Sequence, residues 1–380
     1  MREAGGEPLN RQEATVSLDV GIVGLPNVGK STLFNALAQT SVPCSNYAFC
    51  TVDVNVGVVA VPDGRLATLG ELLKPEKLTP TTVRFVDIAG LVRGASRGEG
   101  LGNKFLANIR EVDAIAHVVR CFEDSSVSHV EGELAPERDV GIVTTELLLA
   151  DLDTAQRALE KHRKDTARGD KDAQKAIRPL ERAVDSLDRG IPLRAAGLTE
   201  SDKEHLAPYS FLTEKEAVYI ANISENDVGD AESAWVERLA GALGEAPDRI
   251  VALAAKLERD LTELAPRERA EFLAAWGLSE PGLTRLVRAA YGILGIVTFY
   301  TIKGTEVRAW TVREGTPVAV AAGRIHSDME KGFIKAEVVS FDDLVAAGSM
   351  HGARDGGHVR TEGRDHVVLD GDVILVHFRT

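Results

Sequence analysis

Apolar positions along this chain recur with two different periods, and the switches between them outline a fold. A β-type run from Val16 to Val23 enters a glycine-bearing loop, and the loop enters a helical pattern with apolar Leu33, Phe34 and Leu37. The runs VRFVD, AIAHVVRCF, KEAVYIAN and VALAAKLE read as further strands, so the first part of the chain has the alternation of an α/β protein. Between residues 140 and 189 the character changes to few glycines and many Ala, Leu, Glu, Lys and Arg. Leu148, Leu152, Ala155 and Leu159 form one seam there, and Ala173, Ile177, Leu180, Val184 and Leu187 form another. Two seams separated by the break ARGD (167–170) predict an antiparallel helical hairpin. Arms of about 20 residues would each project about 30 Å, and Pro179 predicts a kink in the second. Strand and helix patterns resume near residue 210, and EPGLTRLVRAAYGILG reads as a helix. From about residue 295, TFYTI, VRAWTV and VILVHF alternate apolar with polar around a helix-like stretch near TPVAVAAGRI.

The first strand–loop–helix carries chemistry. Gly24-Leu25-Pro26-Asn27-Val28-Gly29-Lys30-Ser31 matches G-x-x-x-x-G-K-S/T in the setting that motif requires, with Thr32 next in the helix. Its glycines let backbone N–H groups wrap a phosphate, and the helix N-terminus adds partial positive charge. Lys30 is placed to reach the β- and γ-phosphates, and Ser31 to offer its hydroxyl to Mg²⁺. A nucleoside triphosphate is therefore the expected ligand.

Two further stretches refine the class. Asp87-Ile88-Ala89-Gly90 closes a strand as D-x-x-G: Asp87 can hold Mg²⁺ through water, and the Gly90 N–H can meet the γ-phosphate. Thr51 is a candidate second Mg²⁺ ligand. Ordinary GTPases follow D-x-x-G with a glutamine that orients water, but here the residue is Leu91, which hydrogen-bonds nothing, so another group or a partner must serve. The strand ending at Asn222 continues Ile223-Ser224-Glu225 where a guanine clamp reads Asn-Lys-x-Asp. A blurred guanine clamp, a reader of another base and an ordinary strand end all remain open at this point. Ala254-Ala255-Lys256 stands where a Ser-Ala-Lys loop would underlie the base.

Composition narrows the setting. The chain has 380 residues, which allows two or three domains, and 44% are hydrophobic, enough for a sizeable core. Its net charge of −14 argues against coating by nucleic acid. Residues 157–178 reverse that sign with eight Lys/Arg against four acids, which suits a phosphate-rich partner such as ribosomal RNA. The three cysteines form no C-x-x-C pair and no even disulfide set, so neither structural zinc nor an oxidising compartment is expected. No stretch approaches about 18 consecutive apolar residues. A soluble, cytoplasmic, monomeric protein with no membrane partner is the expectation.

The stretches GLPNVGKSTLFNAL, NYAFCTVDVNVGVVAVPDGRL, DIAGLVRGASRGEGLGNKFL and HVVRCFED, in this order and spacing, resemble the YchF / Obg-like ATPase family. The resemblance runs from about Leu18 to Thr380 and leaves residues 1–17 as an extension expected to be disordered. It implies an Obg-type G domain at 18–135 and 205–293, the hairpin inserted at 136–204 and a TGS β-grasp domain at 294–380. It also implies hydrolysis of ATP in preference to GTP, and the ribosome as partner through the hairpin and the TGS domain. Under it Glu225, one methylene longer than Asp, no longer sits flat against guanine, Ile223 packs on the purine and Asn222 stays as a brace. His129 resembles a family position from which an imidazole could swing toward the γ-phosphate. Asn27 stands where some P-loop GTPases without the glutamine coordinate K⁺. Two competing readings are a GTPase with a loosened clamp and a ribosome- or RNA-binding scaffold whose nucleotide is a slow switch.

Overall fold

The computed structural model describes residues 19–41, 55–88, 101–124, 133–229 and 231–379, and these divide into two compact units. Thr51, Gly90, Leu91, His129 and the N-terminal extension lie outside the described residues. The strands in chain order are β1 (Asp19–Val23), β2 (Val56–Ala60), β3 (Lys77–Thr79), β4 (Thr82–Asp87), β5 (Ala114–Cys121), β6 (Glu216–Ile223), β7 (Ile250–Leu253), β8 (Ile296–Lys303), β9 (Glu306–Arg313), β10 (Phe333–Ser340), β11 (Arg360–Glu362) and β12 (Asp372–Phe378). The helices used below are α1 (Lys30–Gln39), α2 (Gly64–Leu73), α3 (Leu101–Glu111), α4 (Pro136–Ala167), α5 (Lys171–Asp188), α6 (Glu200–Leu206), α7 (Glu232–Leu243) and α8 (Ala255–Glu263).

The larger unit holds a sheet in the order β2-β4-β1-β5-β6-β7. All its neighbours pair in parallel except β2, which lies antiparallel to β4 at the edge. Every residue of β5 and β7 is buried, as strands covered on both faces require. In such a sheet ligands bind outside the carboxyl ends of the strands, and the order reverses beside β1. The loops leaving β1, β5, β6 and β7 therefore share one edge.

The inserted hairpin consists of α4 and α5, with Asp170 capping α5 by accepting from the Asp172 and Ala173 N–H groups. At 1.5 Å per residue, the 32-residue α4 is roughly 48 Å long. It exceeds the expected arm because its first half packs against β5 and α7, burying Val140, Val143 and Leu147. The outer half joins α5 through Ala155, Leu159, Ala176, Leu180, Ala183 and Leu187. Rather than breaking α5, Pro179 sits inside it with its ring buried, and the carbonyl its missing N–H leaves over is that of exposed Lys175. Asp151 of α4, fully buried, accepts from the Leu212 and Thr213 N–H groups (2.9 and 2.7 Å) and fixes the chain entering β6.

Five of the eight basic residues at 157–178 are engaged within the hairpin: Arg157 with Asp153, Arg163 with Glu181, Lys164 with Glu160, Arg168 with Asp165 and Lys175 with Asp172. Asp153 and Glu181 lie just outside the counted window, so the local positive charge is smaller than the sequence count suggests. Exposed pairs of this kind contribute at most about 1 kcal/mol each, so a phosphate can displace them.

The smaller unit contains a second sheet in the order β11-β10-β12-β8-β9-β3, with β12–β8 and β9–β3 parallel and the other neighbours antiparallel. Residues 63–81, expected in the nucleotide-binding domain, belong to this unit instead. Leu66 and Leu69 of α2 are buried with Tyr300, Val307, Val339 and Leu344, and β3 pairs with β9 from Lys77↔Glu306 to Thr79↔Arg308. The reason is apolar burial: the α2 stripe finds its cover in that core, and a three-residue strand completes the sheet edge. No described helix is long and apolar enough to cross a membrane.

Candidate nucleotide-binding site

The loop after β1 is shaped by two glycines. Gly24 has φ +150°, and a Cβ there would stand 2.5 Å from the Val118 carbonyl of β5. Gly29 has φ +98°, a conformation L side chains rarely adopt, and a Cβ would run into the Asn222 amide. Between them Asn27 also takes a left-handed conformation, φ 63°. The loop ends at α1, whose first turn holds no acid and no side-chain cap. Its N–H groups, with the positive end of the helix dipole, are thus open to an anion.

Lys30 opens that helix yet is only 9% exposed. Its Nζ donates to the carbonyls of Gly24 (3.0 Å) and Leu25 (2.7 Å), folding the side chain back over its own loop. Burial lowers the ammonium from its usual 10.5 to about 8, and nearby Asp87 opposes that shift. Asp87 ends β4, and burial raises its carboxyl while Lys30 pulls it down. Each thus favours the other's charged form in a partly dehydrated place.

One side chain joins the phosphate loop to the opposite wall. Asn222, buried near the end of β6, donates Nδ2 to the Val28 carbonyl (2.8 Å) and accepts from the Ala255 N–H at Oδ1 (2.9 Å). Around it lies a cavity of about 520 Å³ lined by Asn27, Gly29, Lys30, Ser31 and Thr32 on one side and by Asn222, Ile223, Glu225, Ala254 and Ala255 on the other. These ten residues are all candidates from the sequence, and Val28 joins them through its carbonyl. Asp87 is not among the lining residues and acts from beside Lys30. Among the described residues no three His, Cys, Asp or Glu converge as a metal cage. Hard oxygen donors are nevertheless at hand in Ser31 and Asp87, the sparse protein contribution that magnesium needs when phosphates supply the rest.

Lys256, read from the sequence as part of the loop under the base, also lines the cavity, and five lining residues were not singled out as site candidates: Phe122, Glu123, Asp124, Ser224 and Asn226. Phe122 to Asp124 leave the carboxyl end of β5, and that position in an open α/β sheet was the available signal. Arg120, buried in β5 and paired in register with Asn222, donates to the Phe122 and Asp124 carbonyls (both 3.2 Å) and stacks on the Phe122 ring at 4.6 Å. His117 is a packed strand residue: it lies 5.7 Å from Tyr219 between ring centroids, and burial pushes its imidazole down to about 3.

Comparison with known proteins bears on this geometry. Residues 19–148 match the family model described as 50S ribosome-binding GTPase. Residues 296–379 match the C-terminal model of YchF GTPases, described as a protein of unknown function. A relative from Escherichia coli O157:H7 named "Ribosome-binding ATPase YchF" is 47% identical over 354 residues, 93% of this chain and 97% of the relative. The chain belongs to the YchF family. A Bacillus subtilis (strain 168) relative of the same name is 46% identical over 368 residues, 96% of this chain and 99% of its own length. The solved structure of the Schizosaccharomyces pombe YchF GTPase superposes with a TM-score of 0.84 at 34% identity, covering 95% of this chain and 98% of that one. YchF membership thus comes with a P-loop GTPase domain over residues 19–148 and the YchF C-terminal domain over residues 296–379.

Proposed function

We propose that the protein is a magnesium-dependent P-loop ATPase that binds the ribosome and takes ATP in preference to GTP. The observation that carries this reading is the Asn222 brace, which closes the phosphate loop and the base wall around one cavity. The relatives' printed name, ribosome-binding ATPase, supports both halves of it.

In this reading the α1 N-terminus and Lys30 bind the polyphosphate, Lys30 exchanging its two carbonyl partners for phosphate oxygens. Ser31, Thr51 and Asp87 would hold Mg²⁺, Asp87 through water; the ion neutralises charge that develops on the phosphates. The Gly90 N–H supports the γ-phosphate, and His129 is the group we assign to approach it in place of the glutamine that Leu91 replaces. Asn27 is the residue we assign to a K⁺ ion beside the phosphates. Ile223 lies under the purine, and the backbone around Ala254 and Ala255 reads its edge. The α4–α5 hairpin, taken as a coiled-coil-like arm, and the C-terminal unit, taken as a TGS domain, would meet ribosomal RNA or protein. A monomer in the cytoplasm fits this role.

The test is turnover of ATP by the full chain, with and without ribosomes, in potassium and in sodium buffer. Turnover is expected to rise several-fold with ribosomes and to be higher in potassium. Equal turnover in the two salts removes the Asn27 assignment, and indifference to ribosomes removes the coupling.

A further inference from the structure

Two opposite charges meet on the base wall. Glu225 lies in the turn that follows β6, and Lys256 lies in the first turn of α8, which follows β7. Lys256 Nζ stands 3.3 Å from Glu225 Oε1, and both residues line the cavity. The sheet builds this meeting: β6 and β7 are parallel neighbours in register up to Asn222↔Leu253, so the loops leaving them emerge side by side. Arg259, one turn further along α8, is taken by Asp260 at 2.8 Å. Asn222 is engaged at both ends of its amide, donating to the Val28 carbonyl and accepting from the Ala255 N–H.

The two purines make opposite demands on this spot. Guanine presents two adjacent donors, N1–H and the 2-amino group, and needs a carboxylate free to accept both. Adenine presents an acceptor at N1 and needs no carboxylate. We propose that Lys256 is a specificity-determining residue: by holding the Glu225 carboxylate, it withholds from guanine the acceptor that guanine requires and leaves a donor-bearing ammonium for adenine. A site that leaves hydrogen-bonding groups of a wrong substrate unpaired rejects it far more strongly than shape alone can. This inference rests on the adenine preference proposed above.

The experiment measures ADP and GDP affinity by calorimetry on the full chain, for wild type, Lys256→Met, Lys256→Arg and the double variant Lys256→Met/Glu225→Gln. The Lys256 side chain is 67% exposed, so its replacement leaves the core untouched. Lys256→Met frees the carboxylate and is expected to shift the ratio of GDP to ADP affinity toward GDP by about 3- to 5-fold, the scale of a partly exposed ion pair converted to affinity. Lys256→Arg keeps the pair and should leave the ratio within about twofold of wild type. The double variant has no carboxylate to free and should also return to the wild-type ratio. A ratio unmoved by Lys256→Met, or moved equally in the double variant, overturns the proposal. A wild type that prefers GDP overturns the adenine reading itself, a separate result visible in the same data.

Discussion

Replacing Lys30 with methionine is expected to lower ATP affinity and turnover by at least about 100-fold, while leaving the nucleotide-free protein no less stable than wild type. The first half follows from position. Lys30 is the buried cation of the phosphate loop, its ammonium within 3.0 Å of two loop carbonyls, and charge-assisted contacts to phosphate are the strongest available there. The second half follows from its titration. The folded protein holds Lys30 at about 8 against an ordinary 10.5, so folding disfavours the charged form. A base depressed in the folded state carries its full penalty below the folded value. That penalty, about 3 kcal/mol at neutral pH, is relieved as pH rises from about 8 to about 10.5. Methionine removes both the penalty and the two carbonyl hydrogen bonds, which act in opposite directions. Thermal unfolding without nucleotide checks stability, and calorimetry with ATP checks binding; a midpoint several degrees below wild type contradicts this view of Lys30. The same logic requires nucleotide binding above pH 8 to take up a proton, because the polyphosphate restores the charged lysine.

Asn222→Ala should differ in stability, giving a less stable protein that also binds nucleotide poorly. The side chain is 5% exposed and satisfies the Val28 carbonyl at one end and the Ala255 N–H at the other. Alanine leaves both backbone groups buried without a partner, at about 1–3 kcal/mol each, so a loss of about 2–6 kcal/mol is expected. It also unfastens the phosphate loop from the base wall, and ADP affinity should fall by at least tenfold. Chemical denaturation and calorimetry measure the two effects. If affinity falls with stability unchanged, Asn222 contacts the base and does not brace the loops. If stability falls with affinity unchanged, the loops hold their positions without it.

What the sequence revealed depended on how local each feature is. Gly24 to Ser31 was legible because the loop's shape is set by its own glycines and its chemistry by the adjacent Lys30. The hairpin was legible from its two seams and from the break at 167–170, which lies at the observed turn between α4 and α5. Its root was not, because the first half of α4 is covered by β5 and α7, and no spacing within α4 says so. The place of residues 63–81 was hidden for a similar reason: β3 is three residues long, and its partner β9 lies more than two hundred positions later. At the site, the residue types of the base wall were readable one by one, but their couplings were not. Asn222 reaches Val28 and Ala255 across the sheet, and Lys256 reaches Glu225 only because β6 and β7 are neighbours. Phe122 to Asp124 were visible as letters and acquired a place only when β5 was set between β1 and β6.

The proposed function turns on a P-loop cavity in which adenine is the preferred base. The most direct measurement is kcat/KM for ATP and for GTP on the full chain with magnesium under one set of conditions. Withholding the base-edge carboxylate from guanine predicts a value for ATP about tenfold or more above that for GTP. A value for GTP equal to or above that for ATP would contradict it.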